Sequence, residues 1–76
     1  MLQKGDDVNM NTQMLKGKIV EAGTTQEAIA DSIGMDRSTF YRKMKRMGNT
    51  FTVAEMNGMV KSIPLSKEDA VTIFFN

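Results

Sequence analysis

The most constraining feature of this chain is the run Gln26 to Lys45, in which two short apolar patterns meet at one glycine. Thr24-Thr25-Gln26-Glu27 opens the first pattern. Either threonine can accept a backbone N–H bond as N-cap, and Thr24 with Glu27 also fits a capping box. Ala28, Ile29, Ala30 and Ile33 give a small, tight apolar face. Gly34 stops the helix, because glycine enters the left-handed region without a Cβ penalty. Met35 follows as an apolar turn residue, and Asp36 suits the N-cap of the next helix, where its charge meets the positive end of the dipole. That helix runs from Arg37 to Lys45 or Arg46, with Phe40 and Met44 at i and i+4 as inward anchors. Ala30 is small where two helices must approach, and Ile29, Ile33, Met35 and Phe40 are apolar where they must lock.

The remaining segments read as helices around this pair. From Thr12, Leu15, Ile19 and Ala22 share a face flanked by Met14 and Val20, with Gly23 as the C′ residue. Gly17 inside this helix costs about 1 kcal/mol relative to alanine. Gly48-Asn49-Thr50 forms a loop. Thr52 with Glu55 is a second capping box, and Val53, Met56, Val60 and Ile63 give the stripe of a fourth helix that Pro64 breaks. Ser66 with Asp69 opens a last helix through Val71 and Phe74. Residues 1–11 form a polar, flexible lead, and residues 12–76 form the domain. No internal repeat and no β alternation compete, so the expected fold class is all-α, a compact five-helix domain joined by short connections.

Composition narrows the chemistry. The chain has 76 residues, room for one small domain. It has no cysteine and no histidine, which removes disulfides and the commonest metal ligand and general base. Its nine Asp and Glu residues form no paired constellation, so neither an enzyme nor a bound cofactor or metal is expected. The longest apolar stretch falls far short of the ~20 residues that a membrane span needs. The start of the chain lacks a basic and an apolar segment, so it does not read as a signal peptide, and a cytoplasmic location is expected.

The net charge of +1 conceals a segregation. Arg37, Arg42, Lys43, Lys45 and Arg46 put +5 into ten residues without an acid, while the rest of the chain carries −4. At about 100° per residue, Ser38, Arg42, Lys45 and Arg46 lie opposite Phe40 and Met44, with Arg37 and Tyr41 on one shoulder. A solvated helix face accounts for most such runs. An electrostatic footprint for a polyanion is the alternative.

Counted from Gln26, the small residue, the glycine and the four apolar residues occupy the fifth, ninth, fourth, eighth, tenth and fifteenth positions of a helix-turn-helix. The run I-A-D-S-I-G-M resembles the Cro/repressor-type (XRE, lambda repressor-like) helix-turn-helix family of bacteriophages and bacteria. L-K-G-K-I-V-E before it, R-S-T-F-Y-R-K-M within it, and F-T-V-A-E-M and I-F-F after it extend the resemblance to Met10–Phe75. At the eighteenth position, usually a buried aliphatic residue, stands Lys43, and Met44 is expected to take over its packing. The resemblance implies a lambda repressor-like DNA-binding domain and a small phage or prophage repressor that occludes a promoter. It implies that Gln26 contacts the DNA backbone and that Arg37 and Ser38 meet base edges. Tyr41 and Arg42 follow one turn along the groove wall, and Lys45 reaches a base edge or a flanking phosphate.

The residues fit those roles chemically. An arginine fork bonds guanine O6 and N7 bidentately, worth about 1–3 kcal/mol of discrimination. Hydroxyls of Ser38 and Thr39 suit phosphates or bases. Lys43, Lys45 and Arg46 suit phosphates, each adding about −0.9 to the slope of log affinity against log salt. The plainer alternatives are specific too. Arg37 can pair with Asp36 or Asp31, Tyr41 can pack on a neighbour, and Lys43 can be solvated. Eight methionines serve as adaptable core filler. Ile73, Phe75 and Phe51 are hard to place in so small a core, and exposed together they would make an interface. A homodimer through the last helix, on a palindromic double-stranded operator, follows from that reading. The rival function is a protein-interaction module, antitoxin-like or an anti-repressor subunit, built on the same fold.

Overall fold

The computed structural model describes residues 10–46 and 51–75. Five helices follow in order: α1 (Thr12–Glu21), α2 (Gln26–Ser32), α3 (Arg37–Lys45), α4 (Val53–Ser62) and α5 (Lys67–Phe74). The described residues contain no strand. The lead expected over residues 1–11 falls mostly outside the described residues. Met10 and Asn11 are described, and both belong to the packed unit. Met10 is buried. The Asn11 amide donates to the Ile73 carbonyl at 2.8 Å, and its side chain caps α1 by accepting from the Met14 amide. The Gly48-Asn49-Thr50 loop lies outside the described residues.

Three of the four connections are built on one scheme. At the end of α1 the Thr24 amide donates to Ile19, at the end of α2 Met35 to Ala30, and at the end of α4 Leu65 to Val60. This is the six-residue closure of a Schellman turn. Gly23 (φ 75°) and Gly34 (φ 71°) occupy the left-handed position of the first two. Pro64 stands there in the third, with φ 27° and no N–H to offer. Two residues after each comes an N-cap: Thr25, Asp36 and Ser66. The repetition escapes a residue-by-residue reading, because T-T, M-D and L-S fill equivalent places. The second and third turns also touch, with the Ser32 and Ser62 hydroxyls 2.8 Å apart. A Cβ on Gly58 would lie 2.8 Å from Ile33 Cγ2, so α4 approaches the end of α2 closely only with glycine there.

The core gathers Leu15 and Ile19 from α1, Ile29 and Ala30 from α2, Phe40 and Met44 from α3, Met59 and Ile63 from α4 and its cap, and Ile73 and Phe74 from α5. Phe51 stacks edge-on against Phe40 with ring centroids 5.5 Å apart. Ile29, Ala30 and Phe40 are buried, and Ile33 and Met35 are half-buried against the core. Several details depart from the sequence reading. Ala28, expected on the apolar face of α2, is exposed, and Thr25 caps that helix in place of a Thr24–Glu27 box. Ala22 is the exposed C-cap of α1. The stripe of α4 is rotated: Met59 is fully buried, whereas Val53 stands 65% exposed. On α5 the inward residues are Ile73 and Phe74, and Val71 is exposed. Phe51 and Ile73 also find places in the core, so of the three residues expected to form an apolar patch only Phe75 remains outside.

Candidate nucleic-acid interface

The Gly34 turn sets α3 across α2 and leaves most of α3 to solvent. Phe40 and Met44 pin its inner side, so Arg37, Ser38, Tyr41, Arg42, Lys45 and Arg46 are exposed and Thr39 is half-buried. The last turn carries the unpaired charge. Arg42, Lys45 and Arg46 make no ion pair within 4 Å among the described residues. The carbonyls at the end of α3 lie at the same place, and cations suit that end of the helix dipole.

An open groove of about 560 Å³ runs beside this turn, lined by Lys16, Gln26, Tyr41, Arg42, Met44 and Lys45. Its floor is mostly apolar and its rim holds three cations. Gln26 at the start of α2 joins the α3 residues here, as the sequence pattern expects. Lys16 was not foreseen. It comes from α1, next to buried Leu15, and nothing local marks it, because only the packing of α1 beside α3 brings it to the rim. No family model matches the chain, and neither a curated protein nor a solved structure does.

The first turns of α3 are different. Arg37 sets its fork on Asp31, Nε to Oδ1 at 3.2 Å and Nη2 to Oδ2 at 2.7 Å. The Asp31 carboxyl is held below its ordinary pKa by that fork. Tyr41 donates its hydroxyl to Glu27, which lowers the Glu27 pKa and raises that of the phenol. Asp36 accepts the Ser38 hydroxyl and is likewise held low, and its side chain makes no cap bond. Of the two partners conceivable for Arg37, the structure selects Asp31.

Lys43 departs from the outward role given to the basic run. Its Nζ is 3.1 Å from Glu55 Oε1 and 5.5 Å from the centre of the Phe51 ring. The same Glu55 closes a capping box on α4, accepting from the Thr52 amide at 2.9 Å. Partial burial pushes the Glu55 pKa up, but the Thr52 amide and the Lys43 ammonium outweigh it, so the group titrates low. Lys43 therefore packs its stem inward at the eighteenth motif position and ties α3 to α4.

The surface suits binding of an extended polyanion. Among the described residues no group of three Asp or Glu is placed to hold a metal ion, and no helix is long and apolar enough to cross a membrane. A groove of about 570 Å³ between α1 and the α4–α5 turn contains Lys18, Glu21 and Asp69. Lys18 is paired with both acids there, its Nζ 3.3 Å from Glu21 and 3.1 Å from Asp69, so the groove carries no free cation.

Proposed function

We propose that this protein is a sequence-specific double-stranded DNA-binding regulator, a helix-turn-helix repressor of phage or prophage type that acts by occluding a promoter. The observation that carries the reading is the cluster of exposed cations on the last turn of α3 and the adjoining groove rim. An α-helix with its side chains is about 10–12 Å across and fits a major groove about 12 Å wide. With α3 in that groove, Lys16, Arg42, Lys45 and Arg46 meet phosphates, and Gln26 donates to the backbone from α2. Arg37, Ser38 and Tyr41 face base edges and the groove wall. Four phosphate contacts correspond to a log–log salt slope of about −3.6.

A second surface supports a homodimer. Between α4 and α5 an apolar groove of about 470 Å³ is lined by Met56, Val60, Leu65, Ala70 and Phe74, with exposed Val53, Val71 and Phe75 at its edges. Two copies joined there present their α3 helices to successive major grooves, about 34 Å apart, on a palindromic site. A pure protein-interaction module has little need for the exposed cluster of Arg42, Lys45 and Arg46.

Selection of bound duplexes from a random pool at two salt concentrations tests the reading. The expected result is a recovered consensus with two related half-sites and fewer bound duplexes at high salt. Recovery of no duplex above background at either salt contradicts it.

A further inference from the structure

Glu27 and Asp31 have no role in neutralising phosphate, and they face the same surface as the cations. Four residues apart on α2, they stand one turn apart on one face. Each holds a side chain of α3: Asp31 takes the Arg37 fork and Glu27 the Tyr41 hydroxyl. The two groups so held are those placed toward bases and groove wall. Arg42, Lys45 and Arg46 make no ion pair within 4 Å among the described residues, although the resemblance also sets Arg42 along the groove wall and its charge acts on Asp36. The two α2 carboxylates are thus aimed at Arg37 and Tyr41.

We propose that Asp31 and Glu27 are specificity-determining residues that compete, within the chain, for the groups that read DNA. The proposal rests on the duplex-binding reading above. A carboxylate offers the arginine fork two coplanar oxygens, and guanine O6 and N7 offer the same two-point pattern. On a duplex with guanine in place, Arg37 exchanges one bidentate partner for another. The pair it leaves is exposed, with 60% and 56% of the side chains accessible, so its rupture costs at most about fivefold in a binding constant. On any other duplex the fork stays on Asp31 and no rupture is needed. The carboxylate therefore subtracts from the gain that Arg37 makes on the right duplex and so sets how far that contact raises specificity.

The test uses the full chain, as wild type, Asp31→Asn, Glu27→Gln, Arg37→Ala and the Arg37→Ala/Asp31→Asn double variant. Circular dichroism melts check that each variant folds, Asp31 and Arg37 being exposed and Glu27 half-buried. Dissociation constants are read for the selected duplex and for a scrambled duplex of equal length over a salt series. Asp31→Asn is expected to bind the selected duplex up to about fivefold tighter, with the scrambled duplex changing less, so that the specificity ratio rises. Glu27→Gln moves the ratio the same way by a smaller factor. In the Arg37→Ala background Asp31→Asn loses its effect on the ratio, because no fork remains to compete for. Equal tightening of both duplexes, weaker binding of the selected duplex, or no change overturns the proposal. A wild type that binds no duplex overturns the DNA-binding reading, and this inference with it.

Discussion

In the first turns of α3, Ser38 is held by Asp36, Arg37 by Asp31 and Tyr41 by Glu27. In the last turn, Arg42, Lys45 and Arg46 extend with no ion pair among the described residues. One short helix therefore presents a self-satisfied half and an unsatisfied half on the same outward side. The satisfied half loses partners when it binds anything, so it responds to the quality of what it is offered. The unsatisfied half gains with any anion. On the DNA-binding proposal, selectivity and non-specific affinity fall to different turns of the helix, while Lys43 is drawn inward to Glu55.

The sharpest break of this division is expected from the unsatisfied half. Arg42→Ala with Lys45→Ala should weaken binding to every duplex alike and flatten the log–log salt slope by about 1.8, measured by fluorescence anisotropy over a salt series. An unchanged slope would show that these cations meet no phosphate. Next in size is Gly34→Val, which strikes both halves because the turn sets the pose of the whole helix. A branched residue at φ 71° costs about 1–2 kcal/mol. The melting temperature should fall by about 4–8 °C for each kcal/mol, read by circular dichroism.

Acid addresses the satisfied half, together with the Glu55 tie to Lys43. Asp31 and Glu27 titrate below their ordinary values of 3.8 and 4.5 in the folded chain. The folded state therefore binds fewer protons than the unfolded state in that range. The stabilisation is fully present above about pH 5 and is lost as pH falls through the folded values. Urea midpoints taken from pH 5 downward should decline, and less so in the Asp31→Asn/Glu27→Gln double variant. Equal declines would place the acid sensitivity elsewhere. The Tyr41 phenol, raised above 10, works in the opposite sense, its stabilisation lost as pH climbs past its folded value. The smallest effect is expected from Gly17→Ala, where a Cβ meets nothing within 4 Å. It should stabilise by about 1 kcal/mol through helix propensity and leave both halves of α3 as they are. A lower melting temperature would mean that α1 needs its glycine.

Much of this architecture is legible in the residues. Short-range chemistry writes the caps, and Thr52 with Glu55, Ser66, Gly23 and Gly34 behave as their residue types require. The core of the α2–α3 pair is legible for the same reason, since Ile29, Ala30 and Phe40 face inward by periodicity. What stays hidden is rotation and neighbourhood. Lys43 reads as a surface charge until Glu55 and Phe51 arrive from beyond the next loop. Lys16 reads as an ordinary lysine until α1 packs beside α3. Val53 fits the apolar period of α4 and yet is exposed, because the close approach at Gly58 turns Met59 inward instead. The carboxylate on Arg37 could be guessed but not chosen, because Asp31 and Asp36 are both near it in sequence, and nothing local marks Glu27 as the partner of Tyr41.

The most direct test is a nitrogen-15 chemical-shift titration of the full chain with the selected duplex. The account predicts perturbations confined to the Lys16 region of α1, α2 from Gln26 to Asp31 and the outward side of α3, with the side-chain resonances of Arg37 and Arg42 shifting together. Perturbations centred on the α4–α5 groove with α3 unmoved would contradict it.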